Sequence, residues 1–189
     1  MSFSPKVETV MLTGNLWELY GGVLGLSERE KPSTLVFRKL RGIARGVEGK
    51  QWTIEDVGFP IRDFKMDPSQ DLLVMLELLP EPPVGGFAPC RIHIRSLTGN
   101  EAHPFARNPV IVTSIQAPNN DVLAFNIQFC GDRLGIMFEY SPADDRRGDM
   151  DIIVYNWRTA TVLFRMYGIN SPIEAYTFLS EEHILLGIA

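Results

Sequence analysis

Hydrophobic and polar positions follow the same pattern in two stretches of the chain that lie 61 residues apart. Residues 63–79 (DFKMDPSQDLLVMLELL) and 124–140 (AFNIQFCGDRLGIMFEY) each predict an apolar strand, a short polar turn and a second apolar strand. The shift places Phe64 on Phe125, Met66 on Ile127, Asp71 on Asp132, Leu73 on Leu134 and Met75 on Ile136. Proline, glycine and aspartate supply the turns. We therefore predict two successive β-hairpins.

The same shift aligns the segments that follow the two hairpins. Residues 91–99 (RIHIRSLTG) fall on residues 152–160 (IIVYNWRTA), and each predicts a strand that ends in a polar turn. The next strands are expected to begin near His103 and Val162. The segments 80–89 (PEPPVGGFAP) and 141–150 (SPADDRRGDM) also coincide, and both predict exposed loops.

A third copy of the hairpin pattern follows about 50 residues after the second, over residues 175–186 (AYTFLSEEHILL). Short strands with turns at near-regular spacing are typical of all-β sandwiches, barrels and propellers. A unit of this length with about four strands fits a propeller blade with long loops. We predict an all-β, β-propeller-like array of antiparallel blades that forms an incomplete ring over residues 1–189. The blades are expected near 10–59, 60–121 and 122–171, with a partial unit at 172–189.

Residues 32–46 (PSTLVFRKLRGIARG) fit two kinds of secondary structure. They fit a short helix, but Gly42 and Gly46 weaken a helix, so a strand followed by a loop fits as well.

Five stretches resemble sequence common in fungal F-box proteins. They are 14–23 (GNLWELYGGV), 62–73 (RDFKMDPSQDLL), 94–99 (IRSLTG) with His103 and Pro104, 154–159 (VYNWRT) and 178–185 (FLSEEHIL). The resemblance covers most of residues 10–189, and DPSQD at 67–71 is its most specific part. In that family an N-terminal F-box binds the adaptor of an SCF-type ubiquitin ligase, and a propeller-like region is thought to bind the substrate. Here no F-box-like segment precedes Gly14, and the array is expected to stop at Ala189.

The resemblance implies a protein-binding module whose partner is a ubiquitin-ligase substrate or adaptor. Two alternatives stay open, namely a truncated gene product without independent activity and a general scaffold for protein interaction. We expect no enzymatic activity and no cofactor. An enzyme with its site in the loops 80–89 and 141–150 would need a constellation of catalytic residues that the sequence does not display.

Composition and charge narrow the class of protein. The 189 residues are 45% hydrophobic and 22% charged with a net charge of −5, which fits a globular protein and argues against a general nucleic-acid binder. Charge is uneven, because residues 28–50 hold a basic stretch. It contains Arg29, Lys31, Arg38, Lys39, Arg41, Arg45 and Lys50 against Glu28, Glu30 and Glu48. This stretch either meets an acidic partner or is a solvated connection between strands.

Cys90 and Cys130 show neither a disulfide framework nor metal-ligand spacing. Both lie beside predicted strands, so we expect buried free thiols and a reducing compartment. The sequence shows no signal-peptide core and no apolar run of about 18 residues. We expect an intracellular protein, cytoplasmic or nuclear, that does not enter a membrane; its oligomeric state stays open.

Candidate catalytic and metal-binding residues each have a structural interpretation. His93, His103 and His183 are not spaced with a carboxylate and a nucleophile, so structural or surface roles are expected. Asp144, Asp145, Asp149 and Asp151 lack the spacing of a calcium loop, and Arg146 and Arg147 compensate them, which predicts an exposed hairpin loop. Asp67 and Asp71 bracket a turn and are expected to accept main-chain hydrogen bonds. We predict no catalytic, cofactor-binding or metal site.

Two glycine-containing motifs lack the spacing of phosphate-binding loops. Gly49-Lys50 resembles the end of a P-loop, but Ala44 and Gln51 stand where glycine and Ser or Thr are needed. The stretch 21–25 (GGVLG) predicts a turn.

The tryptophans Trp17, Trp52 and Trp157 either anchor a partner or pack inside the fold. Trp157 closes a predicted strand, which favours packing.

Overall fold

A computed structural model describes residues 9–12, 14–41, 48–79, 87–116, 122–141, 150–168 and 173–188. Every regular element in these ranges is a β-strand, which confirms the all-β prediction. The contacts divide the chain into two compact units, Met1–Phe59 and Pro60–Ala189.

The first unit contains one four-stranded antiparallel sheet, in which each strand pairs with the next along the chain. Its strands are β1 (Trp17–Tyr20), β2 (Val23–Ser27), β3 (Leu35–Lys39) and β4 (Lys50–Ile54). Gly21 and Gly22 have φ angles of 56° and 77°, as a two-residue hairpin turn requires. Of the two structures predicted for residues 32–46, the described part forms the strand β3, and residues 42–47 lie outside the described ranges.

The second unit contains two more four-stranded sheets of the same simple antiparallel order and a two-stranded hairpin. The first sheet has β5 (Asp63–Asp67), β6 (Leu72–Leu78), β7 (Phe87–Ser96) and β8 (Val110–Gln116). The second has β9 (Val122–Cys130), β10 (Arg133–Ser141), β11 (Met150–Asn156) and β12 (Thr161–Gly168). The hairpin joins β13 (Ile173–Phe178) and β14 (Ile184–Ile188).

The core of the second unit lies between its two four-stranded sheets. Alternate residues of each strand point to the same face, so one side of β6 meets one side of β10. The buried cluster contains Leu72, Val74 and Leu76 of β6, Ile92 and Ile94 of β7, Leu134, Ile136 and Phe138 of β10, and Tyr155 of β11. Burial of this apolar area, at about 25 cal/mol per Å², is the main force that holds the sheets together.

The opposite face of the second sheet is covered by the hairpin. Met137 and Ile152 pack with Ile173 and Tyr176 in a second buried cluster. Both faces of β10 are therefore buried, which explains why its sequence is almost continuously apolar. Gly135 leaves room for the aromatic rings of the hairpin, since a Cβ there would lie 2.8 Å from Tyr176 Oη.

The first strands of the three sheets in this unit adjoin one another. β9 contacts β5 on one side and β13 on the other. The amide of Gln128 on β9 donates a 2.6 Å hydrogen bond to the carbonyl oxygen of Tyr176 on β13. Successive sheets are thus joined at their starting strands.

The aligned turns repeat the same hydrogen bonds. Leu97 N–H donates to the carbonyl oxygen of Asp71 at 2.8 Å, and Trp157 N–H donates to the carbonyl oxygen of Asp132 at 3.1 Å. The carboxylate of Asp71 also accepts the hydroxyl of Ser96, as that of Asp132 accepts the amide of Asn156. The two acceptors are 61 residues apart and the donors are 60 apart, so the interactions repeat with the donor side displaced by one residue from the shift of 61.

Some predicted boundaries were wrong. β8 begins at Val110 and not near His103, because residues 101–109 first fold back on β7. His103 N–H donates to Ile94 O at 3.1 Å, and Ile94 N–H donates to Pro109 O at 2.8 Å. β12, in contrast, begins at Thr161, beside Val162, which confirms that boundary. Of the predicted loops, Phe87–Pro89, Ser141 and Met150 belong to strands, while 80–86 and 142–149 lie outside the described residues.

Candidate protein-interaction surface

An apolar groove of about 380 Å³ lies between β12 and the β13–β14 hairpin. Its floor and walls come from β11, β12 and the hairpin. The apolar lining residues are Val154, Leu163, Phe164, Phe178, Ile184 and Leu186. Arg133, Glu181 and Glu182 form the charged part of its lining. We call this feature the β12–β14 groove.

The groove exists because two strands with apolar sequences end their sheets. β12 is the last strand of its sheet, and within the described residues β14 pairs with β13 alone. A β-bulge adds to the exposure, since Val154 pairs with Phe164 and Tyr155 with Val162, which leaves Leu163 without a partner in the register. Leu163 is 50% exposed and Phe164 beside it is 42% exposed. Contiguous exposed apolar residues of this kind mark interaction surfaces.

Arg133 fixes the charged end of the β12–β14 groove. Its guanidinium lies 3.5 Å from the carboxylate of Glu181 and donates a 3.3 Å hydrogen bond to the Glu181 carbonyl oxygen. The turn between β13 and β14 is thereby held against the start of β10. The groove consequently has an apolar floor and a fixed charged end.

A second cluster lies where turns of the two four-stranded sheets of the second unit meet. His103 Nε2 lies 3.0 Å from the carbonyl oxygen of Gln70, and its ring meets Trp157 edge-on at 4.9 Å between centroids. The guanidinium of Arg158 lies 5.4 Å from the ring of Phe105, which is 65% exposed. His103 is buried here, which fits the expected structural role.

The other two histidines are also held by local contacts. His93 on β7 is buried, and its Nε2 lies 2.9 Å from Glu77 Oε2; burial lowers the pKa of His93, and Glu77 opposes that effect. His183 lies in the β13–β14 turn, with its Nδ1 2.9 Å from the hydroxyl of Ser180. That hydroxyl accepts the N–H of Glu182, which makes it part of the turn. Neither contact assembles a nucleophile, a base and an orienting carboxylate.

The expectation for the acidic loop was wrong at Asp151. This residue is fully buried in β11, where its carboxylate lies 2.6 Å from Arg165 Nη2 of β12. Burial raises the pKa of Asp151, and Arg165 opposes that rise. Asp144, Asp145 and Asp149 lie outside the described residues. Within the described ranges no group of His, Cys, Asp and Glu is arranged to hold a metal ion.

Asp67 and Asp71 serve the first turn, as predicted. Asp67 accepts the N–H of Ser69 at 2.9 Å, and Asp71 accepts the N–H of Thr98 at 3.0 Å. Asp71 has a φ of 54°, a conformation that aspartate tolerates better than most residues.

The tryptophans differ in environment. Trp157 is fully buried and donates to the Gly131 carbonyl oxygen at 3.2 Å, which confirms the packing role. Trp52 stacks on Phe37 with centroids 5.3 Å apart, while Trp17 on the edge strand β1 is 58% exposed.

Both cysteines are free thiols. Cys90 is buried as expected. Cys130 is half-buried, because it ends β9 at the turn, so the expectation of a buried thiol was wrong there.

The structure brings part of the basic stretch together. Arg38, Lys39, Arg41 and Lys50 line a concavity in the first unit, whereas Arg45 lies outside the described residues. No helix in the described ranges has the length and apolar character needed to cross a membrane.

No protein-family model matches the chain, and no curated protein matches it either. Among solved structures, the chain is similar to Kluyveromyces lactis Hsv2 with a complete loop 6CD, at 12% identity and a TM-score of 0.45. The match covers 79% of this chain and 38% of that chain. A likeness of this size carries no information on function.

Proposed function

We propose that the chain is a non-catalytic protein-binding module that holds an extended segment of a partner protein in the β12–β14 groove. The observation that carries this proposal is the coincidence of an apolar groove with the edge strand β14. Its sequence, ILLGI, contains no charged residue that would discourage pairing.

Strand addition explains how such a groove would bind. Main-chain groups on the outer side of β14 can pair with an extended peptide, and alternate side chains of that peptide would enter the groove. Phe164 and Leu163 offer apolar contact, while Glu182 on the rim would favour a basic residue at one end of the segment. The preferred partner segment is therefore an apolar strand flanked by Lys or Arg.

The finer proposal concerns the partner and the architecture. The resemblance to fungal F-box proteins supports a substrate or adaptor of an SCF-type ubiquitin ligase as the partner, in an intracellular setting. The adjoining first strands β5, β9 and β13 support a propeller-like array of blades, because blades of a propeller meet at their inner strands.

Hydrogen–deuterium exchange tests the groove directly. Peptides selected from a random library against the whole chain are expected to be apolar and extended, and to slow the exchange of β14 amides. Phe164→Asp should abolish both effects. Val112→Asp is the matched control, since Val112 is an apolar strand residue, 67% exposed, outside the groove.

Protection elsewhere than β14, or equal loss in both variants, would contradict the groove as the binding site. For the finer proposal, co-purification with ligase subunits from a fungal extract should depend on Phe164. A chain that folds cooperatively yet selects no peptide would contradict the proposal of a protein-binding module.

A further inference from the structure

The end of the β3–β4 hairpin concentrates positive charge in a chain whose net charge is −5. A concavity of about 380 Å³ there is lined by Arg38, Lys39, Arg41, Gly49, Lys50 and Gln51. We call it the basic hairpin end. No acidic residue is among the described residues that line it. It belongs to the first unit, so it is independent of the β12–β14 groove.

The strand register forces two like charges together. Lys39 of β3 lies directly opposite Lys50 of β4. Directly opposed residues in an antiparallel pair have Cβ atoms about 5 Å apart, and like charges in such positions destabilise the pair. Both lysines are exposed, so water screens part of this repulsion, and an anion bound beside them would offset the rest.

Neighbouring contacts position two of the cations. The side chain of Arg41 lies across Gly49, because a Cβ on Gly49 would come within 2.9 Å of Arg41 Cγ. The ammonium of Lys50 lies 5.8 Å from the centre of the Trp52 ring, and Trp52 stacks on the buried ring of Phe37. Arg41 is thus placed against Gly49, just beyond the strands, and Lys50 against a ring of the sheet.

We propose that the basic hairpin end binds a phosphoryl group. Guanidinium groups match the oxygens of phosphate in pairs, and lysine adds compact charge. A dianion in a small concavity gains more from several converging cations than a single carboxylate does. The group can belong to a phosphorylated side chain of a partner or to a free phosphate-bearing molecule.

Amide chemical shifts of the whole chain, followed while sodium phosphate replaces sodium chloride at constant ionic strength, test the proposal. Saturable shifts are expected at Gly49, Lys50 and Gln51. The double variant Arg41→Gln with Lys50→Gln should bind phosphate about tenfold more weakly or worse. Arg29→Gln with Lys31→Gln removes the same charge from exposed positions outside the concavity and should leave the affinity unchanged.

Two further arms identify the source of the group. A phosphoserine peptide that binds more tightly than inorganic phosphate indicates a modified partner, and one that binds equally or more weakly indicates a free phosphate compound. The proposal is overturned if phosphate causes no saturable shift, if both double variants weaken binding equally, or if a peptide with glutamate in place of phosphoserine binds as tightly. Gly49→Ala gives a second readout, because it should displace Arg41 and weaken binding without changing charge.

Discussion

The side-chain amide of Gln70 donates a 3.1 Å hydrogen bond to the main-chain carbonyl oxygen of Gly131. The same carbonyl oxygen accepts the indole N–H of Trp157. Gln70 also donates to the carboxylate of Asp67 at 2.8 Å. Gly131 is the residue on which the 61-residue shift places Gln70, so equivalent positions of successive hairpins bind each other.

Replacement of Gln70 with alanine should lower the free energy of unfolding by about 1 kcal/mol, because it removes both hydrogen bonds. Urea denaturation followed by tryptophan fluorescence measures this loss. Glu101→Ala, at an exposed position in the same region, should stay within about 0.5 kcal/mol of the parent. Equal losses in the two variants would show that the bond between the turns contributes nothing.

Gly135→Ala should destabilise the protein by about 2 kcal/mol. The new Cβ would lie 2.8 Å from Tyr176 Oη and 3.0 Å from Phe178 Cε2, and Tyr176 is fixed by a 3.2 Å hydrogen bond from its hydroxyl to Asn126 O. Faster amide exchange in β13 and β14 should accompany the loss. Gly187→Ala in the same hairpin is the control, since its nearest neighbours would be 3.7 Å away.

Removal of Arg165 should leave the buried carboxylate of Asp151 without its ion-pair partner. Arg165→Met is expected to cost about 3 kcal/mol at neutral pH, because an unpaired charge remains inside the sheet. The double variant Arg165→Met with Asp151→Asn leaves no unpaired charge at this position, so it should recover part of the lost stability. A double variant that loses as much stability as Arg165→Met, or more, would contradict the explanation that an unpaired buried charge causes the loss.

The pH dependence of that loss has a defined sign. Burial raises the pKa of Asp151 above 3.8, so the folded state takes up a proton more readily than the unfolded state as the pH falls. Arg165 lowers this pKa, so its removal raises the pKa further. The difference in unfolding free energy between the parent and Arg165→Met should therefore be largest at neutral pH and shrink on acidification, as denaturation at several pH values would show. A difference that grows at acid pH would contradict this assignment.

The two thiols should react at different rates. Burial, with a smaller effect of Glu77, raises the pKa of Cys90 to about 12, so little thiolate forms at neutral pH. A chromogenic disulfide reagent should modify Cys130 first in the folded protein and reach Cys90 on unfolding. Cys130→Ser should remove the fast phase; a fast phase that persists in this variant would disprove the assignment.

The repeated order of apolar run, polar turn and apolar run was sufficient to predict two of the hairpins in the second unit. The segments 63–79 and 124–140 form the expected hairpins because both sets of turn residues and apolar faces agree with one structure. Asp151 was misplaced because its charge suggested a loop, whereas a cross-strand partner 14 residues away allows it to be buried. The sequence holds no local signal for that pairing.

The β12–β14 groove depends on strands that are distant in sequence, which is why it was not predicted as a site. The apolar runs at Val162–Phe164 and Ile184–Ile188 gave a signal, since neither is interrupted by a charge. That signal is shared by buried strands, and only the sheet order shows that these two are at edges. The sequence shows the basic stretch, but only the strand register of β3 and β4 shows that Lys39 lies opposite Lys50.

Because successive sheets meet through β5, β9 and β13, the remaining connections need not have a fixed length. The aligned hairpins are separated by 61 residues in one interval and by about 50 in the next. Evolution can lengthen or shorten the outer connections while the joined starting strands keep their places. Insertions in these connections can therefore add surface loops without changing the packing of the core.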